Sequence, residues 1–180
     1  MVSPKTKLTY EDYAKTPDDE RWELIDGVLI MAASPGRQHQ RVQTRLGTRL
    51  SVFIEERDLG YFYFDRDVRL SDTDTLRPDL IFVSREREHI DTSTYIGGAP
   101  DLVVEIRSPS TAHRDLTVKR DLYARYGVRE YWPVDPYAET VTVMLLRDGD
   151  YEEVNTYRKG ETLTSPTLEG FAVNLDEIFR

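Results

Sequence analysis

Cysteine is absent from the 180 residues. That excludes disulfides, thiolate metal centres and a cysteine nucleophile, and it fits a reducing compartment, so a cytoplasmic location is expected. Histidine is scarce, at three residues. With no Cys/His pairing, a structural zinc site is not expected. No apolar run approaches the ~20 residues that a membrane-spanning helix needs. Met1-Val2-Ser3-Pro4-Lys5 has no hydrophobic stretch behind its charge, so it does not read as a secretory leader. An excess of positive charge is also missing: 24 Lys and Arg face 33 Asp and Glu, for a net charge of −9. Sequence-independent binding to nucleic acid relies on Lys and Arg neutralising phosphates. Such a partner would have to be met by a local basic face, not by the total charge.

What is present suits one soluble globular domain spanning 1–180, with 39% hydrophobic and 32% charged residues. Thr9-Tyr10-Glu11-Asp12 reads as a capped helix start reaching about Ala14. Trp22 to Ile25 and Val28 to Met31 flank Asp26-Gly27, a strong signature of a tight hairpin. From about Arg37 to Arg57, Val42, Leu46, Leu50 and Ile54 recur every four residues, which predicts a long amphipathic helix. Tyr61 to Leu70 reads as a strand. Leu80 to Val83 and Leu102 to Ile106 read as buried strands, with a surface connection over Ser84 to Gly98. A helix is expected from Ser110 or Thr111 to Tyr126, closed by Gly127. Val128 to Val134 is a strand stopped by Asp135-Pro136, and Pro133 inside it suggests an edge or bulge. Thr140 to Leu146 and Tyr151 to Tyr157 form a hairpin over Asp148-Gly149. Leu168 to Phe179 reads as a turn and a short closing helix. This order predicts a mixed α/β (α+β) domain with one central sheet and β-hairpin additions at both ends.

Two of the buried strands carry acids. Asp79 opens one and Glu105 lies within the other, and an ionised carboxylate is costly to bury unless it is paired or binds a metal. Phosphodiester hydrolysis needs charge neutralisation and an activated water, which divalent metals supply. Mg²⁺ takes oxygen ligands, typically one or two carboxylates with several waters. If the two strands are neighbours, ~4.8 Å spacing brings both acids to one ion. Asp101 shares the face of Glu105, but four residues separate them by about 13 Å, so it is expected to cap the strand mouth. A cation is also wanted. Arg107, on the face of Glu105, and Lys119, on the following helix, are the candidates. Lysine fits better, since its ammonium is compact and its pKa drops on desolvation, whereas arginine stays protonated. Simpler roles stand beside these: Asp79 satisfied by a turn, Glu105 in a Glu–Arg pair, Lys119 solvated or paired with Asp115, Arg107 in a surface pair.

A wider set of residues resembles a known family. Trp22 to Gly27, His39-Gln40, Arg77-Pro78-Asp79, Pro100 to Ile106 with Ser108-Pro109-Ser110, Lys119 and Tyr123, Gly127-Val128, Glu130-Tyr131-Trp132 and Val134-Asp135-Pro136 resemble the Uma2 (DUF820) family. That family is catalogued as endonucleases of the PD-(D/E)XK nuclease superfamily, and the likeness runs from about Leu8 to the tail. It implies a restriction-endonuclease-like core, Asp79 and Glu105 as ligands of Mg²⁺ or Mn²⁺, and a catalytic lysine moved to the next helix, here Lys119. It also implies that Glu23 and His39 contribute to the site. The superfamily's usual lysine position after Glu105 holds Arg107.

Arg37, Arg41, Arg45 and Arg49 recur every four residues beside the apolar stripe of the long helix. They read either as a track for DNA phosphates or as a solvated face paired with acids such as Glu55 and Glu56. The aromatic strand Tyr61 to Phe64 offers a face for a homodimer. The leading expectation is a Mg²⁺- or Mn²⁺-dependent DNA endonuclease. The alternative is an inactive nuclease fold serving as a binding or assembly module.

Overall fold

A computed structural model of the chain describes residues 6–17, 19–32, 34–108 and 117–180 in full, with the backbone of 114–116. The expected helix start at Ser110 or Thr111 and the side chains of Arg114 and Asp115 lie outside the described residues. Thr9 opens α1 (Tyr10–Tyr13) through a capping box. β1 (Trp22–Ile25) and β2 (Val28–Met31) form the expected hairpin. Asp26 and Gly27 take φ of 50° and 74°, the left-handed pair that a type I′ turn requires.

α2 spans Arg37–Glu56. Its Val42, Leu46, Leu50 and Ile54 stripe packs on Leu80, Phe82, Leu102 and Val104 of the sheet. Gly47 lets the helix come close: a Cβ there would lie 2.2 Å from the Phe64 ring. Next come β3 (Gly60–Phe64), β4 (Val68–Arg69), β5 (Thr75–Leu76), β6 (Leu80–Ser84) and β7 (Leu102–Ile106). α3 (Arg114–Tyr126) leads to β8 (Glu130–Asp135), β9 (Thr140–Arg147) and β10 (Asp150–Arg158). The chain closes with β11 (Thr162–Thr164), β12 (Ala172–Asn174) and α4 (Leu175–Ile178).

The central sheet has six strands in the order β10-β9-β8-β7-β6-β3. Its ladders are antiparallel except β7–β8, which is parallel and so needs a crossover, here through α3. α2 and the C-terminal segment cover one face. α3 packs on the other, joined there by residues of the second sheet, β2-β1-β5-β4. The fold is thus mixed α/β, as the residue pattern predicts.

Three expectations are corrected. The strand over Tyr61 to Leu70 is two, because Asp65 takes φ of 48° and turns the chain; β3 joins the central sheet and β4 the second one. The segment from Ser84 to Gly98 is not only surface: its Ile90 and Ile96 are buried against Val68, Ile81 and Val83. β8 is neither an edge nor bulged at Pro133. It lies between β7 and β9, and Tyr131↔Met144 and Val134↔Val141 keep one register on either side of the proline. β3 and β10 are the two edges of the sheet, and Phe64 on β3 is 45% exposed.

Candidate active site

Leu80 pairs with Val104 across the β6–β7 ladder, so the same register sets Asp79 opposite Glu105. Leu80, Phe82, Val104 and Ile106 face α2, whereas Ile81, Val83 and Val103 do not. Period-two alternation therefore points both acids to the α3 side. The two strands are neighbours, as the metal expectation required.

Glu105 is buried. Its two oxygens each lie 3.2 Å from Lys119 Nζ, and the Tyr123 hydroxyl donates to Oε1 at 2.6 Å. Lys119 and Tyr123 stand four residues apart on α3, on one helix face. Lys119 Nζ is also 2.7 Å from Glu23 Oε1, which accepts the Arg77 backbone N–H at 3.0 Å. Glu23 comes from β1, so the second sheet delivers a carboxylate to the central one. Asp79 Oδ2 accepts the Ile106 N–H at 2.6 Å. Its Oδ1 is 3.1 Å from His39 Nε2 and 3.6 Å from the Arg21 guanidinium.

Burial pushes the Glu105 carboxyl up; Lys119 pulls it back, but Asp79 and Glu23 push it further, and the balance rests at about 7. Burial alone would lower the Lys119 ammonium, but Glu105, Glu23 and Asp79 carry it well above its ordinary value. The drop expected from desolvation does not occur, because three carboxylates outweigh it. Burial, followed by Glu105 and Glu23, raises the Tyr123 phenol well above its usual range, so it acts as a hydrogen-bond donor.

These residues fit a divalent cation in type. The donors are hard carboxylate oxygens, two of them from facing positions on adjacent strands. Burial is the first cause of the raised Glu105 carboxyl, and Asp79 and Glu23 add to it against the pull of Lys119. Asp79 and Glu105, with Glu23 beside them, are the residues that would hold such an ion. Among the described residues, no three His, Cys, Asp or Glu side chains already converge in coordinating geometry, since Lys119 stands between Glu23 and Glu105.

Arg107 is not brought into this cluster. Its guanidinium is 2.5 Å from Asp135 at the end of β8, and Asp135 also accepts the N–H groups of Tyr137 and Ala138. Asp101 accepts the Ser84 N–H at 2.7 Å and pairs with Arg87, a strand-end cap as expected. Half of the basic row on α2 is committed elsewhere. Arg45 donates to the Ile178 and Arg180 carbonyls, and Arg49 pairs with Glu177. Both brace the C-terminal helix.

Arg21, Gln43 and Asp65 were not among the sequence candidates. Gln43 follows His39 by four residues, so the two share a face of α2; it donates to Asp65 Oδ2 at 2.9 Å and to the Asp79 carbonyl at 3.1 Å. That spacing of two buried polar residues beside an apolar stripe is a signal the sequence does carry. Arg21, just ahead of β1, and Asp65, just after β3, lie outside the regular elements and had none.

The sequence matches the Uma2 family, described as "Putative restriction endonuclease", over residues 9–176. It is 27% identical over 146 residues to the uncharacterized protein sll1609 of Synechocystis sp. (strain ATCC 27184 / PCC 6803 / Kazusa), covering 78% of this chain and 82% of that one. The uncharacterized protein slr1290 of the same organism is 26% identical over 185 residues, covering 99% and 94%. The fold is similar to the crystal structure of "a putative nuclease belonging to DUF820" from Anabaena variabilis ATCC 29413, with a TM-score of 0.80 at 18% identity, covering 96% of this chain and 97% of that one. No helix among the described residues is long and apolar enough to cross a membrane.

Proposed function

The chain belongs to the Uma2 family, and on that premise we propose that it is a Mg²⁺- or Mn²⁺-dependent endonuclease that hydrolyses phosphodiester bonds in DNA. One observation carries the reading: two buried acids, Asp79 and Glu105, stand at facing positions on adjacent strands, and Lys119 lies against Glu105. A bound divalent ion would neutralise charge on the scissile phosphate and activate a water. Asp79, Glu105 and Glu23 would hold it. The Ile106 N–H and His39 fix the Asp79 carboxylate, and Tyr123 fixes Oε1 of Glu105. Lys119 stays protonated, so it is a cation and not a base. It stabilises the charge that develops on the pentacovalent phosphorane and orients the attacking water. Under this reading the partners are DNA and a second copy docked on the open edge of β3, in the cytoplasm.

The test is nicking of supercoiled plasmid with Mg²⁺ or Mn²⁺ against EDTA. The wild type cuts only with the ion, and Glu105→Gln and Asp79→Asn lose on the order of 10²–10³-fold while staying folded. Wild-type cleavage by Glu105→Gln contradicts the assignment. A second reading, a nuclease fold without turnover that serves as a binding module, is favoured by one fact. Every acid of the site already has a cationic or donor partner in the protein. It predicts no cleavage with any divalent ion.

A further inference from the structure

Beside the two acids lies a second group of charges that the proposed chemistry leaves unused. Arg21 Nη2 is 2.9 Å from Asp65 Oδ1 and 3.6 Å from Asp79 Oδ1. The first distance is a firm ion pair; the second is too long for a hydrogen bond. Arg21 is therefore anchored on Asp65 and leans over Asp79. Asp65 is itself fastened: Gln43 donates to its other oxygen, and its own N–H donates to the Asp79 carbonyl at 3.3 Å. The platform is rigid, yet unfinished. Among the described residues two buried side-chain nitrogens lack a hydrogen-bond partner, Arg21 Nε and His39 Nδ1. Buried polar groups are normally satisfied. His39 is only 4% exposed, so its orphan nitrogen is not serving bulk water. The Arg21 side chain is 25% exposed, so its guanidinium can also meet a ligand oxygen beside Asp79.

We propose that Arg21 is a phosphate-contact residue: its guanidinium binds a backbone phosphate of the nucleic acid next to the scissile bond, with Asp65 and Gln43 as its positioning residues. This rests on the nucleic-acid reading above. Arginine suits the task because its planar fork binds phosphate oxygens directionally and never loses its charge. One guanidinium in the right place also answers the problem of a chain with net charge −9, since placement and not total charge guides the strand.

The experiment is fluorescence anisotropy of a labelled DNA duplex in EDTA across a salt series, beside steady-state cleavage with Mn²⁺. Arg21→Gln should weaken binding about tenfold and flatten the salt slope by about one. Its KM should rise by a similar factor, with kcat little changed. Asp65→Asn keeps the Arg21 charge, so its salt slope should match wild type while KM rises. That split separates a phosphate contact from a merely structural pair, which would change Tm alone. An Arg21→Gln protein that folds and keeps wild-type affinity and slope overturns the proposal, as does a wild type that binds no duplex. A wild type that binds with the Arg21-dependent slope but does not cut would leave this contact standing and remove the hydrolytic reading.

Discussion

Glu105 and Glu130 are both buried glutamates on adjacent strands, β7 and β8, and they are held in opposite ways. Glu130 receives the Trp132 indole N–H at 2.6 Å, the Ser165 hydroxyl at 3.0 Å and the Thr167 backbone N–H at 2.8 Å. These donors are neutral, and two of them come from the segment between β11 and β12, so the carboxylate stitches the C-terminal segment to the sheet. Glu105 instead meets Lys119 and Tyr123 and feels Asp79 and Glu23. The first acid is sealed by donors fixed around it. The second stands beside a lysine and near two further acids that push its carboxyl up. A structural carboxylate and the one proposed to hold an ion thus differ less in burial than in the charges that surround them.

The sharpest way to break this comparison is to neutralise each acid in turn. Glu105→Gln should lose cleavage by the factor given above and lose no stability. Glu130→Gln should do the reverse. Leaving the indole and backbone donors poorly matched should cost about 2 kcal/mol, a fall in Tm of roughly 4–8 °C, with activity per folded molecule unchanged. Loss of stability in the first variant or of turnover in the second would erase the distinction.

A smaller effect sharpens it through pH. Glu105 is raised from 4.5 to about 7. An acid whose folded value lies above its unfolded value binds its proton more tightly in the folded protein, so ionisation penalises folding. The penalty is absent below the unfolded value, grows as pH climbs toward 7, and is complete above it. Glu105→Gln has no charge to lose. In EDTA its Tm should therefore gain a few degrees on wild type between pH 5 and pH 8. A difference that stays flat or reverses would mean that Lys119 already balances the cluster. The smallest effect is expected at Arg107. Its pair with Asp135 is partly exposed, so Arg107→Ala should cost under about 1 kcal/mol by thermal melting and leave cleavage intact.

The two buried strands and their acids were legible because carboxylates in apolar runs are conspicuous. The hairpins were legible because Asp-Gly dictates its turn. The long helix followed from its four-residue stripe. Pro133 misled because a missing N–H usually marks an edge, yet here the ladder skips Trp132 and Pro133 and keeps its register. Arg107 looked like a candidate from period-two alternation alone, but β7 ends at Ile106 and the side chain follows Asp135. Arg21 and Asp65 were invisible because they converge only through tertiary packing, one ahead of β1 and one after β3. Glu23 reaches the site because β1 belongs to a different sheet, a contact that local patterning does not encode.

The measurement that bears most directly on the account is isothermal titration of Mn²⁺ into the metal-free protein and into Glu105→Gln. Wild-type protein should bind Mn²⁺ saturably, at roughly millimolar or tighter, and the variant should not. A wild type that takes up no Mn²⁺ under those conditions, or a variant that binds it equally well, would contradict the claim that Asp79 and Glu105 form a divalent-cation site.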